Sequence, residues 1–445
     1  MSMRLNGDRR RLVAVLSLVL TLLGAVMSTG GGRVESARED GPAGLPAAAT
    51  RAGAECDAEL AEFEQEEGRE RGQESGRARG QETGREGGGD AEDDISPYRC
   101  LWDPYPTFNG VAVDPQNNVV AMSDTNRKSL LVYDRGARSS LKEETTPLRQ
   151  ISGPRTQVGF IAGVALDAEH RELYAVNNDI EDTMMVFSYD MEGNVKPRRA
   201  LAVPHQAWGV ALRRSADEIA LTVESLDAVV FYRREADYVE APLRSLIGPD
   251  TGMADPHGLY VDDANHEIVV ANHGNWSDAD VSAGTYDETV GGHFQPPSIN
   301  VYADSASGNT KPLRTVAGPS TGLNWPMGVA HDPTRGEIVV ANNGDNSILF
   351  FGRTASGDAR PSRVLRGGRT GIASPMGVAV DAKNRELWVA NFGDHTAVVF
   401  DLAASGNAAP KRVIRNAPAG TPTAGFGNPM AVAYDSKRQE LLVPN

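Results

Sequence analysis

The stretch NWPMGVAHD (324–332) returns as ASPMGVAVD (373–381) and again as GNPMAVAYD (427–435). Its marker, Gly-Val-Ala-x-Asp or a near variant, begins at Gly110, Gly163, Gly209, Gly258, Gly328 and Gly377, and at Ala431, where Ala takes the Gly place. Self-similarity at a fixed period governs every later reading, so it is settled first. Each marker is a short apolar run followed by a polar turn such as DPQNN (114–118) or DAKNR (381–385). A second run follows, as in ELYAVN (172–177) and ELWVAN (386–391), then a third, as in LLVYD (130–134) and AVVFD (397–401). A fourth carries Pro-x-Arg, as in PLRQIS (147–152), PLRTVA (312–317) and PKRVIR (410–415). Four short strands rich in β-branched residues, in a unit of about 49 residues, are the arithmetic of a β-propeller blade.

The blade count follows from the strands. The Pro-x-Arg strand occurs six times after the first marker and once before it, in SPYRCLW (96–102), with Pro97 and Arg99. The last repeat supplies only two strands, AVAYD and ELLVP. This predicts an all-β, seven-bladed propeller closed by the N-terminal outer strand, with the last blade lacking its third strand. A six-bladed ring with spare strands is the alternative. The end at Asn445 reads as a truncation in preference to a recoded stop codon, and it would leave an unpaired strand edge.

The segment PMGVAVDAKNRELWVANFGDHTAVVFD (375–401) resembles NHL repeats in its Pro-x-Gly-Val-Ala-Val-Asp start, and YVTN repeats in its Val-Ala-Asn strand end. The resemblance spans 97–445 and implies a lactonase-like or NHL-repeat extracytoplasmic protein. Propellers host many activities, so it speaks to fold more than to function. In peptidyl-hydroxyglycine lyases, which resemble this chain in their NHL-type propeller, His residues just before the inner strand bind a catalytic zinc. DPHGLYVD (255–262) with His257 is similar to that element, but only one of the seven positions is His here.

The chain has 445 residues and a formal net charge of −16, which argues against a nucleic-acid partner because phosphate binding needs a cationic face. Its two cysteines, Cys56 and Cys100, leave room for one bond and exclude a disulfide-built scaffold. Arg4, Arg9, Arg10 and Arg11 precede an apolar run from Leu12 to Met27, so residues 1–32 read as a signal peptide or short membrane anchor. Residues 33–95 carry 18 acidic and 8 basic residues and read as a disordered acidic linker rich in Gly, Glu and Arg. The propeller then occupies 96–445, and the location is extracytoplasmic, with membrane contact only through an uncleaved N-terminus.

Alternating strand direction puts the start of each inner strand at one mouth of the channel. The residues before the marker glycines are Asn109, Ala162, Trp208, His257, Met327 and Met376, and Met430 precedes Ala431. His257, Met327, Met376 and Met430 form a candidate metal arc whose soft donors suit copper. The alternative is adaptable packing by Met at the narrow end of the channel. Zinc and calcium are the other candidate cofactors. The second strands end in a row that includes Asn272, Asn342 and Asn391, with Glu224 following Val223 in blade three. Asn there reads first as a hairpin cap and second as part of a polar collar.

Blade four breaks the period. Seventy residues separate Gly258 from Gly328, and the extra length lies on the mouth face with His273 and His293. Trp325 stands on the same face. The candidate ligand-binding set is therefore Asn109, Trp208, Glu224, Asn272, His273, His293, Trp325, Asn342 and Asn391. The expected function is binding of a small molecule or an extracytoplasmic protein at this mouth. A metal-dependent oxidoreductase, lyase or lactonase is one alternative and a cell-surface scaffold the other. The sequence holds no His-Glu-x-x-His, Walker or Cys-x-x-Cys motif.

Overall fold

The computed structural model describes residues 105–139, 143–178, 181–274, 276–277, 293–421, 423, 433–435 and 440–442, all within one compact unit, Phe63–Asn445. The segments read as signal or anchor (1–32) and linker (33–95), the N-terminal strand with Pro97 and Arg99, both cysteines and Met430 lie outside the described residues. No helix among the described residues is long and apolar enough to cross a membrane.

Six four-stranded antiparallel sheets form six blades. Their inner strands are Phe108–Asp114, Ile161–Asp167, Ala207–Arg213, Pro256–Asp262, Pro326–Asp332 and Pro375–Asp381. In each blade the chain steps outward through the second and third strands to the Pro-x-Arg strand, for example Glu386–Asn391, Thr396–Asp401 and Arg412–Arg415 in blade six. The inner strands end in turn-forming aspartates: Asp114 Oδ1 accepts from the amides of Gln116 and Asn117 at 2.8 and 3.0 Å. Apolar side chains from facing blades make the cores between blades, such as Ala121, Leu130 and Ile151 of blade one against Ile161, Leu173 and Phe187 of blade two.

The ring closes at six, which corrects the seven-bladed expectation. Blade six packs directly on blade one: Trp388, Val399 and Ile414 share a buried core with Phe108, Met122 and Tyr133. Backbone bonds join the two blades at the rim, from Ser139 N to Val413 O at 2.8 Å and from Thr145 N to Arg415 O at 2.8 Å. Nearer the axis, His395 Nδ1 lies 2.7 Å from Pro106 O. No place remains between these blades for a seventh inner strand, nor for an N-terminal strand to close a last blade. Ala433–Asp435 and Glu440–Leu442 pair with each other as a separate two-stranded sheet.

The axis explains the marker glycine. A Cβ on Gly163 would sit 2.4 Å from Trp208 O, one on Gly209 2.4 Å from His257 O, and one on Gly258 2.1 Å from Met327 O. The series runs on through Gly328 (Met376 O, 2.6 Å) and returns from Gly377 to Asn109 O at 2.7 Å. Each blade thus lays the carbonyl of its pre-marker residue where the preceding blade's glycine has no side chain.

The Pro-x-Arg strand has an equally local reason. Its Arg turns back across the blade to the Glu that starts the second strand: Arg199 to Glu172 (2.8 and 2.8 Å), Arg314 to Glu267 (2.7 and 2.7 Å) and Arg363 to Glu337 (2.8 Å). A second Arg from the next blade joins in three cases, Arg234 on Glu172 (3.2 Å), Arg353 on Glu267 (2.9 Å) and Arg135 on Glu386 (2.9 Å). The last of these ties blade one to blade six. Forked Arg–carboxylate bonds of this kind are charge-assisted and directional. Burial raises the cost of a charged Glu172, but Arg199, Tyr174 and Arg234 outweigh it and hold the carboxyl down at about 2.

Two outcomes are expected. Gly258→Ala should destabilise the ring by about 3 kcal/mol or more in urea unfolding, because the clash is with backbone that cannot move aside. Gly352→Ala, with open space around the added methyl, should change stability by no more than about 0.5 kcal/mol. Glu172 is depressed in the folded state, so its contribution is present above the unfolded value of 4.5 and is lost as pH falls towards 2. The acid limb of the stability profile in that window should therefore flatten in Glu172→Gln.

Candidate functional site

At the mouth, the starts of the inner strands and the loops before them bring five rings into a row across blades two to five. Phe160 meets Trp208 at 6.4 Å between centroids, Trp208 meets His257 at 4.4 Å, His257 meets His273 at 3.9 Å, and His273 meets Trp325 at 5.4 Å. The middle of the row is buried and the outer end is open: His257 is 4% exposed and Trp325 58%. Blade four supplies both histidines, His257 from its inner strand and His273 from just past the end of its second strand at Asn272.

Two carboxylates meet the buried middle of this row. His257 Nε2 lies 3.2 Å from Glu224 Oε1, and its Nδ1 lies 3.5 Å from Asp255 Oδ1 and 3.0 Å from the Asp255 carbonyl. His273 Nδ1 lies 3.4 Å from Asp255 Oδ2. Asp255, His257 and His273 place one ligand-type atom each within 4.8 Å of one another. Burial, and then the nearby His273, push the His257 imidazole down to about 3, against the pull of Asp255. Its ring is neutral at ordinary pH.

The loop residue before the inner strand adopts the left-handed region in blades three to six, with φ of 61° at Gln206, 55° at Asp255, 51° at Trp325 and 42° at Ser374. Three of these precede a proline, which favours extended conformations in the residue before it. A bulky aromatic at φ +51° is an outlier and costs about 1–2 kcal/mol. The same kink swings Asp255 beneath the histidines and holds Trp325 out at the rim.

The other sequence candidates fall elsewhere. Asn272, Asn342 and Asn391 are fully buried and latch the preceding loop to the blade. Asn342 accepts from Asn324 N at 2.7 Å and donates to Gly322 O and Ser347 Oγ at 3.1 Å each; Asn391 repeats this with Ala373, Gly371 and Thr396. Asn109 is buried and donates to Ile161 O at 3.4 Å. Met327 is 3% exposed within the core of blades five and six, and Met376 and Trp208 pack against that core. Met376 Sδ lies 3.3 Å from Asn343 Nδ2. His293 belongs to a two-residue strand in the blade-four insert that pairs with Trp276–Ser277; most of the insert lies outside the described residues. Asp255 was not singled out in the sequence. The signal for it was Asp-Pro-His, a carboxylate two residues ahead of the one His at a pre-marker position.

At the opposite end of the blades a surface cavity of about 500 Å³ is lined by Arg214, Tyr260, Asp262, His331 and Arg353 among others. Its charges are spent on one another and on the clamps: His331 Nδ1 lies 3.2 Å from Asp262 Oδ2, and Arg353 bonds Glu267.

No protein-family model matches the chain, and no curated protein matches it in sequence. Among solved structures it is similar to one described as a nidogen/laminin complex, at 15% identity and a TM-score of 0.46, over 70% of this chain and 93% of that one. It is also similar to hydrazine synthase of Kuenenia stuttgartiensis, at 13% identity and a TM-score of 0.46, over 69% of this chain and 80% of that one. A functionally unknown protein from Desulfotomaculum acetoxidans DSM 771 matches at 14% identity and a TM-score of 0.47, over 69% and 87%. At these scores the likeness carries no functional argument, and the propeller assignment rests on the strand pairing of this chain.

The neutral state of His257 has a consequence for stability. Its folded value lies below the unfolded 6.5, so the contribution is present above that value and is lost as pH falls towards 3. The His257 ring resonances should hold still between pH 8 and 5 in spectra of the full chain.

Proposed function

We propose that this protein is a binding propeller, and that its ligand is a small molecule, or a side chain of a partner protein, with a planar or apolar face that stacks on Trp325 at the channel mouth. One observation carries the reading. A tryptophan is held in a strained left-handed conformation, more than half exposed, at a position where the other blades place Gln206, Asp255 and Ser374. Strain kept at an exposed aromatic is a mark of a working surface. Behind Trp325 the row continues through His273, His257 and Trp208, with the Asp255 carboxylate beside both imidazoles. Such a mixture of aromatic faces and a few convergent polar groups is typical of ligand sites.

The location belongs to the same proposal. A basic segment followed by the apolar run from Leu12 to Met27 supports export, and the acidic stretch at 33–95 would then tether the propeller outside the cytoplasm.

Trp325→Asn tests the reading. Relief of the left-handed aromatic should stabilise the fold by about 1 kcal/mol. The same change should weaken binding of planar probes such as indole and p-nitrophenyl glycosides by up to about tenfold, the worth of one aromatic contact. Calorimetric titration of the full chain reads the second effect and thermal unfolding the first. Probe binding that is unaltered by Trp325→Asn, or no saturable binding at all, would remove this function from the mouth.

A further inference from the structure

The histidines and carboxylates in the buried middle of the row make a second case that stands apart from any organic ligand. A neutral imidazole carries one N–H. His257 faces acceptors on both sides, the Asp255 carbonyl at 3.0 Å from Nδ1 and Glu224 Oε1 at 3.2 Å from Nε2. Whichever nitrogen holds the proton, the other turns a lone pair towards an oxygen acceptor. Protonating the ring would satisfy both, but the ring is buried and a second imidazole lies 3.9 Å away. His273 adds a related observation: its Nε2 is fully buried and has no hydrogen-bond partner among the described residues. A cation among these groups would take the lone pair of an unprotonated ring nitrogen in place of a proton.

We propose that Asp255, His257 and His273 form a binding site for a divalent transition-metal ion of the zinc class, with Glu224 beside it. The donor chemistry selects that class. Two imidazoles and a carboxylate suit zinc and its borderline neighbours, and such three-ligand sets leave a coordination position open. The thioethers that would favour copper(I) are placed otherwise, Met327 in the core of blades five and six and Met376 against it. The site is partly preformed. Asp255 is held by its left-handed backbone and by a 2.7 Å bond from its amide to Asp227 Oδ1, and His257 is fixed between Trp208 and His273. Preformed ligands lower the ordering cost of capturing an ion. An ion here would sit next to the aromatic row, with its open position available to whatever enters the mouth.

The test uses the full chain, stripped of metal with a chelator and dialysed. Zn(II) is titrated in competition with a chromophoric chelator, and Co(II) is followed by its visible absorption, which reports nitrogen and oxygen ligation directly. One equivalent is expected, with affinity falling at least tenfold in Asp255→Asn and in His273→Gln and unchanged in the Met327→Leu, Met376→Leu double variant. Asp255→Asn keeps side-chain size, and urea unfolding of each variant confirms that the blades are intact. Absence of stoichiometric binding in the folded parent overturns the proposal. So does binding that survives both ligand variants, or binding lost only in the methionine variant. Neither readout involves planar probes, so failure of the metal site and failure of the Trp325 surface are told apart.

Discussion

Everything in this propeller is arranged around the contact between a glycine and the neighbouring blade's carbonyl. At Gly258 the missing side chain would have come within 2.1 Å of Met327 O, and four of the other five marker glycines would meet an equivalent carbonyl within 2.7 Å. Contacts that close fix the spacing of the inner strands, and the spacing fixes how many blades complete a turn. The outer parts of the blades then have to meet at matching angles. Buried Arg–Glu clamps do this from inside blades two to six, and in three places from the next one. Removing one member of such a buried pair strands the other's charge, which is why the pairing is stringent even where its net contribution is modest.

A crowded axis has a further effect. With the strands this near one another, the space above each glycine is small, and the side chains before them have to share it. Trp208, His257, Met327 and Met376 fill it by size and adaptability, Met being suited to irregular gaps. The recurrence of Met in register thus has a packing cause in blades five and six. Chemistry is displaced from the channel to its mouth, where loops can differ from blade to blade without disturbing the ring.

The sequence made the blades legible because period-2 apolar runs, turn residues and Pro-x-Arg recur in every unit. It did not make closure legible, because strand counting treats all repeats as equal. Closure is read instead from blade six packing on blade one through Trp388, Val399 and Ile414 against Phe108, Met122 and Tyr133. Within the site, Trp208, His257, Glu224, His273 and Trp325 were all nominated from strand position and are brought together across blades three, four and five. The asparagine row was nominated by the same logic and is spent on loop latches, since a residue at a strand end serves the turn before it can serve a ligand. Asp255 escaped notice because its approach to two histidines depends on a left-handed kink ahead of a proline, a conformation that local sequence preferences argue against.

That kink connects fold and site more closely than shared location does. The loop entering blades three to six makes the same left-handed turn, so the backbone pays a similar strain at each, and the side chain placed there is free to vary. In blades three and six it is polar and unremarkable. In blade four it is the carboxylate beneath His257 and His273, and in blade five it is the exposed Trp325, which bears more strain than a small or polar residue would. Two adjacent blades therefore use one structural device for two different side chains, and both reach His273. A purely packing role accounts for neither choice, because a tryptophan more than half exposed adds little to a core and a carboxylate beside buried histidines adds desolvation cost. The asymmetry of an otherwise repetitive ring is concentrated where those two blades meet.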